Sequence, residues 1–335
     1  MLKQVALQTA FHAGVFRLVQ FCRRSQAVVL TFHRFSGDGE GDPRGVPIAT
    51  LAKCLEYLTR HYRVVSLAEM TEGLRRGEVR PNTAVVTIDD GYYEVDSMVA
   101  PLLRRYRIPA SLFVVSEFVD GRVWLWPDRV RFVFEHAPSG PVGFSRRDFA
   151  RCFDLRTEQG RWHAEQSCCE YAKRIPVADR DELISEVAEA CGVDLPASPP
   201  ARYRAMTWAQ LRRLAAEGLD VGAHTRTHSI LSQLHGNSLR DEIAGCKEDI
   251  EQHLGFPVRH FAYPNGQRRD YTPESVAEVA RAGYRAAVTT IAGGNAAGAP
   301  IFELRRISER AEEVLHFAQS VSGVDLLKDR LRAAL

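Results

Sequence analysis

Short β-branched runs alternate with stretches of helical periodicity along this chain, and no other feature constrains its fold as much. "AVVLTFH" (27–33), "TAVVTID" (83–89), "PASLFVVS" (109–116), "LDVGAH" (219–224), "VRHFAYP" (258–264) and "YRAAVTT" (284–290) read as strands. "RVVSL" (63–67) reads as a shorter strand and "IFELRRIS" (301–308) as the last. Between them apolar residues fall at helical spacing: 48–62, "LAEMTEGLRR" capped by Ser66, "SMVAPLLRRYR", "WAQLRRLAAEG" capped by Thr207, "SLRDEIAGCKEDIEQHL" stopped by Gly255, "PESVAEVARAG", and a stretch near 311–321. Such alternation predicts an α/β domain with a parallel sheet, open or closed into a barrel. The 335 residues, 45% of them hydrophobic, suffice for its core.

Two segments stand outside this rhythm. Residues 119–205 are rich in Arg, Trp and Cys, show weak periodicity and leave through "DLPASPPA". They read as an insertion lying over one end of the sheet. Residues 1–25 form an amphipathic helical pattern, with Phe11, Val15, Leu18, Val19 and Cys22 at helical spacing. Gln8, His12, Arg17 and Gln20 interrupt the apolar centre that a signal peptide requires, and the apolar run is too short to span a bilayer. The helix either covers its own domain, which then occupies 26–335, or rests on a membrane surface. The net charge of +2 gives no ground for a nucleic-acid partner. Seven cysteines without a C-x-x-C pair indicate neither a zinc ribbon nor a disulfide framework, and point to a reducing, cytoplasmic setting.

The chemistry gathers at strand ends. "TIDDGYYEV" places Asp89 and Asp90 after a buried strand, where charge is costly unless it is paired or binds a metal. Adjacent strand residues face opposite ways, so both can serve one site only where the chain turns, and Gly91 supplies the turn. "DVGAHTRTHSIL" ends another strand and offers His224 and His228 as H-x-x-x-H. Two histidines and one carboxylate make a metal site with open positions, leaving the other carboxylate as a base. Alone, either stretch could be an ordinary loop. Their common place, at the C-terminal ends of strands in one parallel sheet, is what joins them. "RHFAYPNGQ" is a strand running into a turn, and His33 in "VLTFHRF" sits at a strand end of the same sheet.

"LTFHRF", "TIDDG", "MTWAQLRRLAAEGLDVGAHT", "HTRTH" and "FAYPNG" follow one another in an order that resembles the polysaccharide deacetylases of carbohydrate esterase family 4. The resemblance covers roughly residues 27–118 and 206–310. It implies a distorted (β/α) barrel, usually of seven parallel strands, with 119–205 as a lid-like insertion. It also implies hydrolysis of an N-acetyl or other N-acyl group on an amino sugar. Carried over residue by residue, Asp89 is the general base. Asp90, His224 and His228 hold a divalent metal, with zinc first and Co2+, Ni2+ or Mn2+ as alternatives. Ala262 to Gly266 form one wall of the groove, so that Tyr263, Pro264 and Asn265, with Tyr92, touch substrate. A backbone N–H near Tyr92 or Tyr93 serves the oxyanion.

Two departures from the family matter. The "FAYPNG" motif lacks the arginine that in the family orients the base, and Arg306 is a candidate replacement. No Leu-x-His motif supplies a general acid; Asp89 could serve as base and then acid, or His33 could give the proton, while His316 reads as an ordinary helix residue. "FAYPNG" and "LRRIS" are more typical of the branch acting on exopolysaccharides and lipid-linked sugars. The expected partner is therefore an N-acylated amino sugar, polymeric or linked to lipid or nucleotide, handled in the cytoplasm or at the inner membrane face during polysaccharide biosynthesis. Trp124, Trp126 and Trp162 offer aromatic faces to a sugar or pack a lid. The rival readings are a catalytically inactive carbohydrate-binding relative and a metal-free glycosidase.

Overall fold

Strands that are apolar at successive positions need cover on both faces. In the computed structural model, which describes residues 2–37, 39–309 and 313–327, every residue of β1 (Val28–Phe32), β2 (Thr83–Ile88) and β3 (Ala110–Val114) is buried. These strands continue with β4 (Asp220–Ala223), β5 (His260–Ala262), β6 (Ala286–Val288) and β7 (Ile307–Ser308). All are parallel, in the spatial order β6-β5-β4-β3-β2-β1-β7. The short strand Arg63–Val64 adds to the start of β2. Leu304 bridges Val288 of β6, while Ile307 and Ser308 pair with Leu30 and Thr31 of β1. One segment thus touches both edges, and the sheet curls into the distorted (β/α) barrel.

The period of two sorts the side chains. Val29, Val85, Phe113, Ala262, Val288 and Leu304 form one cluster, and Thr31 and Thr87 continue the same faces of β1 and β2. Leu30, Phe32, Val86 and Leu112 join Leu51, Leu55 and Leu58 of the helix Ile48–His61 in the other. Gly222 of β4 sits where a Cβ would meet the Phe113 ring at 2.5 Å and the His260 carbonyl at 2.9 Å.

Two helices depart from regularity, and both border the strand ends that carry the motifs. After "TIDDG" the chain makes a π-turn, Val95–Val99, before the helix Ala100–Tyr106. The long helix expected over 238–254 is a short helix Gly236–Arg240, a π-turn Asp241–Gly245 and a helix Cys246–Leu254, stopped by Gly255 at φ 77°. Ser66 and Thr207 cap as expected, accepting from the amides of Glu69 and Gln210.

The insertion has its own core. Helices Trp126–His136, Glu158–Ala172 and Val177–Ala190 and the hairpin of Pro141–Arg146 with Phe149–Asp154 enclose Val133, Phe134, Phe149, Cys168, Leu183 and Ile184. The single N-terminal helix expected over 1–25 is two, α1 (Leu2–His12) and α2 (Val15–Cys22), broken at Gly14, whose φ of 79° a continuous helix does not allow. Leu7 and Phe16 pack with Ala318 and Val324. The last helix runs Val314–Ser322; the start expected for it at 311 lies outside the described residues.

Candidate active site

Parallel pairing brings the C-terminal ends of the strands to one end of the barrel, and the motif residues stand there. Asp89 extends β2, its N–H donating to Phe32 O at 2.9 Å. Period two carries Val85, Thr87 and Asp89 along one face, into the barrel interior. There the Arg306 guanidinium, fully buried, donates to both Asp89 oxygens at 2.7 Å, to the hydroxyls of Thr31 at 3.0 Å and Thr87 at 3.1 Å, and through Nε to Thr289 O at 2.7 Å. Burial opposes the charge on Asp89, and Arg306, followed by His224, overrides it and holds the carboxyl well below the usual carboxylate range.

Asp90 leaves the strand. Its φ is 75° and that of Gly91 is 90°, so the turn takes the second carboxylate out of the face that Asp89 occupies. Asp90 Oδ1 lies 3.5 Å from His224 Nε2 and 3.5 Å from His228 Nε2. The three ligand atoms lie within 4.8 Å of one another, and all three residues are buried. His224 Nδ1 is 2.8 Å from Ala262 O and must carry the proton there, so the Nε2 of the neutral ring presents a lone pair. Burial lowers His224 to about 4 and holds His228 well below its usual range, so both rings are neutral near pH 7. Burial, then the charges of Asp89 and Asp128, push Asp90 well above its usual range. Asp90 Oδ1 and His228 Nδ1 are buried without a hydrogen-bond partner.

Asp90 Oδ1 is buried beside two imidazole nitrogens with no hydrogen bond to satisfy it, and a cation between the three would supply the missing partner and favour the carboxylate form. The spacing suits one: ligands about 2.1 Å from a tetrahedral centre are about 3.4 Å apart. The donor set of two imidazoles and one carboxylate fits a divalent ion such as zinc.

The loop between the histidines is held from beneath. Glu242, in the π-turn, accepts from the amides of Arg226 at 2.9 Å and Thr227 at 3.0 Å, and from the hydroxyls of Thr227 and Ser229. From the other side the Trp126 indole N–H donates to His228 O at 3.3 Å. Between these anchors Thr225 and His228 hold φ values of 68° and 60°, uncommon for residues with a side chain.

His33 lies at the mouth, its side chain 42% exposed and Nε2 3.6 Å from Asp89 Oδ2. Tyr92 does not offer its ring to a substrate: it is buried, its hydroxyl donates to Asp128 at 2.6 Å, and the Arg34 guanidinium stands 3.8 Å over its face. Tyr92 bridges Ala205, but the hydrogen bonds of that bridge run from the Tyr93 N–H to Arg204 O at 3.2 Å and from the Met206 N–H to Gly91 O at 2.9 Å, so it does not use the Tyr92 N–H. The Tyr263 ring is also buried, stacked on Tyr271 with centroids 4.5 Å apart, and Pro264 is buried. Asn265, half-buried with φ 58°, is the one wall residue of the three with an exposed part. His316 is exposed on the last helix. Trp126 is buried and Trp124 packs on Phe132 and Tyr203, so these two build the lid; Trp162 is 41% exposed.

Sequence reasoning missed Glu242, the Trp126 contact and the charged layer under Tyr92. In that layer Arg34 bonds Glu94 at 2.6 Å, and burial, partly offset by Arg34, raises Asp128 to about 6. Arg34, adjacent to His33 in "LTFHRF", was the one available signal.

Residues 173–287 match the family model described as polysaccharide deacetylase. That span includes "HTRTH" and "FAYPNG" and stops short of "TIDDG". No curated protein matches the chain in sequence. Among solved structures, the Streptococcus pyogenes deacetylase PplD in complex with acetate is 16% identical, with a TM-score of 0.58 over 88% of this chain and 98% of that one. IcaB from Ammonifex degensii is 19% identical, with a TM-score of 0.56 over 88% and 97%. A de-N-acetylase from Aggregatibacter actinomycetemcomitans is 14% identical, with a TM-score of 0.52 over 87% and 99%. At these identities the likeness is one of fold. The resemblance to polysaccharide deacetylases read from the motifs thus recurs in the family model and in the architecture.

Proposed function

We propose that this chain is a metal-dependent hydrolase that removes an N-acetyl, or another N-acyl, group from an amino sugar in the making of a surface or exopolysaccharide. The observation that carries the reading is the convergence of Asp90, His224 and His228 beside an ionised Asp89 pinned by Arg306. Asp90, His224 and His228 would hold a divalent ion, zinc first among candidates, which supplies a Lewis acid for the amide carbonyl and acidifies water. Asp89 accepts the proton of the attacking water, and the Arg306 fork keeps both its oxygens in register for that step. The Tyr92 amide, which the bridge to Ala205 does not use, would donate to the developing oxyanion. The leaving amine takes its proton from Asp89, or from His33, which reaches toward Asp89 from solvent.

The unbridged cysteines favour a cytoplasmic step, at or near the inner membrane face. The test is metal analysis of the native protein and His228→Ala, with hydrolysis of an N-acetylated amino-sugar oligomer. The reading expects about one ion per chain, lost in His228→Ala, and Asp89→Asn that keeps the ion and loses turnover. Metal without turnover on any N-acylated sugar would instead indicate a carbohydrate-binding relative. No metal even after zinc is added would overturn the hydrolase.

A further inference from the structure

The outer face of α2 has no partner among the described residues. Phe16 and Val19 turn inward, toward Leu7, Ala318 and Val324. Val15, Leu18 and Phe21, spaced three apart, form a second stripe that is 39%, 63% and 61% exposed. Four of the six large apolar side chains exposed among the described residues lie on α1 and α2, and a fifth, Leu327, lines the same hollow as Leu18. A helix apolar on opposite faces has one face finished by its own domain and one left for another apolar phase.

Charge identifies that phase. Residues 1–30 contain Lys3, Arg17, Arg23 and Arg24 and no Asp or Glu. Arg17 and Arg24 are exposed, and the Arg24 guanidinium lies 3.8 Å over the Phe21 ring. Among the described residues, Glu313 and Asp325 bond Gln4 and Ser320. A second copy of this face would oppose cation to cation, whereas anionic headgroups above acyl chains match both the charge and the stripe. No described helix is long and apolar enough to cross a membrane. We infer that α1 and α2 rest on an anionic bilayer surface, with Leu18 and Phe21 inserted and Arg17 and Arg24 at the headgroups.

The orientation has a consequence for substrate. Asn82, the residue before β2, donates its N–H to Arg24 O at 3.0 Å, so α2 ends at the N-terminal ends of the strands. The six residues of β2 separate that end from Asp89 by about 20 Å. The site lies at the end of the barrel away from Phe21. A sugar linked to lipid in the same leaflet needs a carrier that reaches past the barrel, and a polymer or soluble sugar does not.

The experiment is co-sedimentation of the full chain with phosphatidylcholine vesicles, with and without about one-third phosphatidylglycerol, alongside Leu18→Ser/Phe21→Ser and Arg17→Glu/Arg24→Glu. Both pairs are exposed, and circular dichroism is to check that each variant folds. Wild type should sediment with anionic vesicles, less so as salt rises, and each double variant should bind at least tenfold more weakly. Wild type that stays in the supernatant with anionic vesicles at low salt overturns the inference. So does binding that both variants retain. A dimer that the serine variant dissociates, without vesicle binding by wild type, assigns the stripe to a second copy and also overturns it. None of these outcomes depends on the reading of the site.

Discussion

Replacing Arg306 by methionine should cost more than any other single substitution in the barrel interior, and the cost should depend on pH. The methionine fills much of the arginine's volume but returns none of its hydrogen bonds. Asp89, 1% exposed, is left with a buried charge and no fork. Breaking a buried pair by removing one partner costs about 3–5 kcal/mol. The sign with pH follows from the shift. In wild type the folded carboxyl titrates below its unfolded value of 3.8, so its contribution is present above about pH 4 and is lost as pH falls through the folded value. Without Arg306 the same burial raises the carboxyl, and folding must then take up a proton. The deficit of the variant therefore widens from pH 4 to pH 8.

Urea unfolding of both proteins at pH 4.5 and pH 8, with divalent metal chelated, reads this directly. The double variant Arg306→Met/Asp89→Asn removes the stranded charge and should recover most of the loss at pH 8. A deficit below about 1 kcal/mol at pH 8, or one that does not change with pH, would refute the argument that Arg306 exists to hold an ionised Asp89. So would a double variant no more stable than the single.

Other substitutions test the supports around the site. Glu242→Gln sets an amide against the N–H groups of Arg226 and Thr227, and zinc affinity measured by chelator competition should fall by about 10–100-fold. Trp126→Phe keeps an aromatic side chain but loses the indole donor to His228 O and some core volume; zinc affinity should fall by about tenfold, read beside the stability of the metal-free protein. Glu309 is raised to about 9 by burial, then by Asp325, so the folded state keeps a proton that the unfolded state sheds above 4.5, and stability declines as pH rises from 4.5 to 9. Glu309→Gln should remove that slope and gain about 3 kcal/mol at pH 7, read as unfolding free energy across pH.

The strand-end motifs were legible because a parallel sheet turns position in a strand into position in space. "TIDDG" ends at 91 and "HTRTH" begins at 224, yet each ends a strand, and the site is where strands end. What joins Asp89 to Arg306 was only half legible. "ELRRIS" offers Arg305 and Arg306 on opposite faces of an irregular segment, and no pattern in it says which face is inward. The structure exposes Arg305 and buries Arg306. Tyr92 misled for a related reason. An aromatic after a catalytic turn looks available to substrate, but Asp128 from the insertion and Arg34 after β1 claim it, and neither partner is near in sequence. Glu242 was hidden because its helix keeps an unbroken apolar pattern while one π-turn changes which side chains face the loop.

The unfavourable backbone of the site ties these supports together. Among the described residues seven without a glycine's freedom have positive φ, and four of them are Asp90, Thr225, His228 and Asn265. Each such residue costs about 1–3 kcal/mol and persists only where its surroundings over-determine it. Asp90 must turn this way, because a regular strand would send it to the face opposite Asp89. Thr225 and His228 must do so to bring two imidazoles of one loop onto a single carboxylate oxygen. The cost is met by groups that do not touch that oxygen: Glu242 under the loop, Trp126 beside it, and Ala262 O fixing the tautomer of His224. The insertion is therefore part of the site even where its tryptophans meet no sugar. Removing residues 119–205 should free the His228 carbonyl and loosen the third ligand, whereas the Asp89–Arg306 pair, held entirely by barrel strands, should survive.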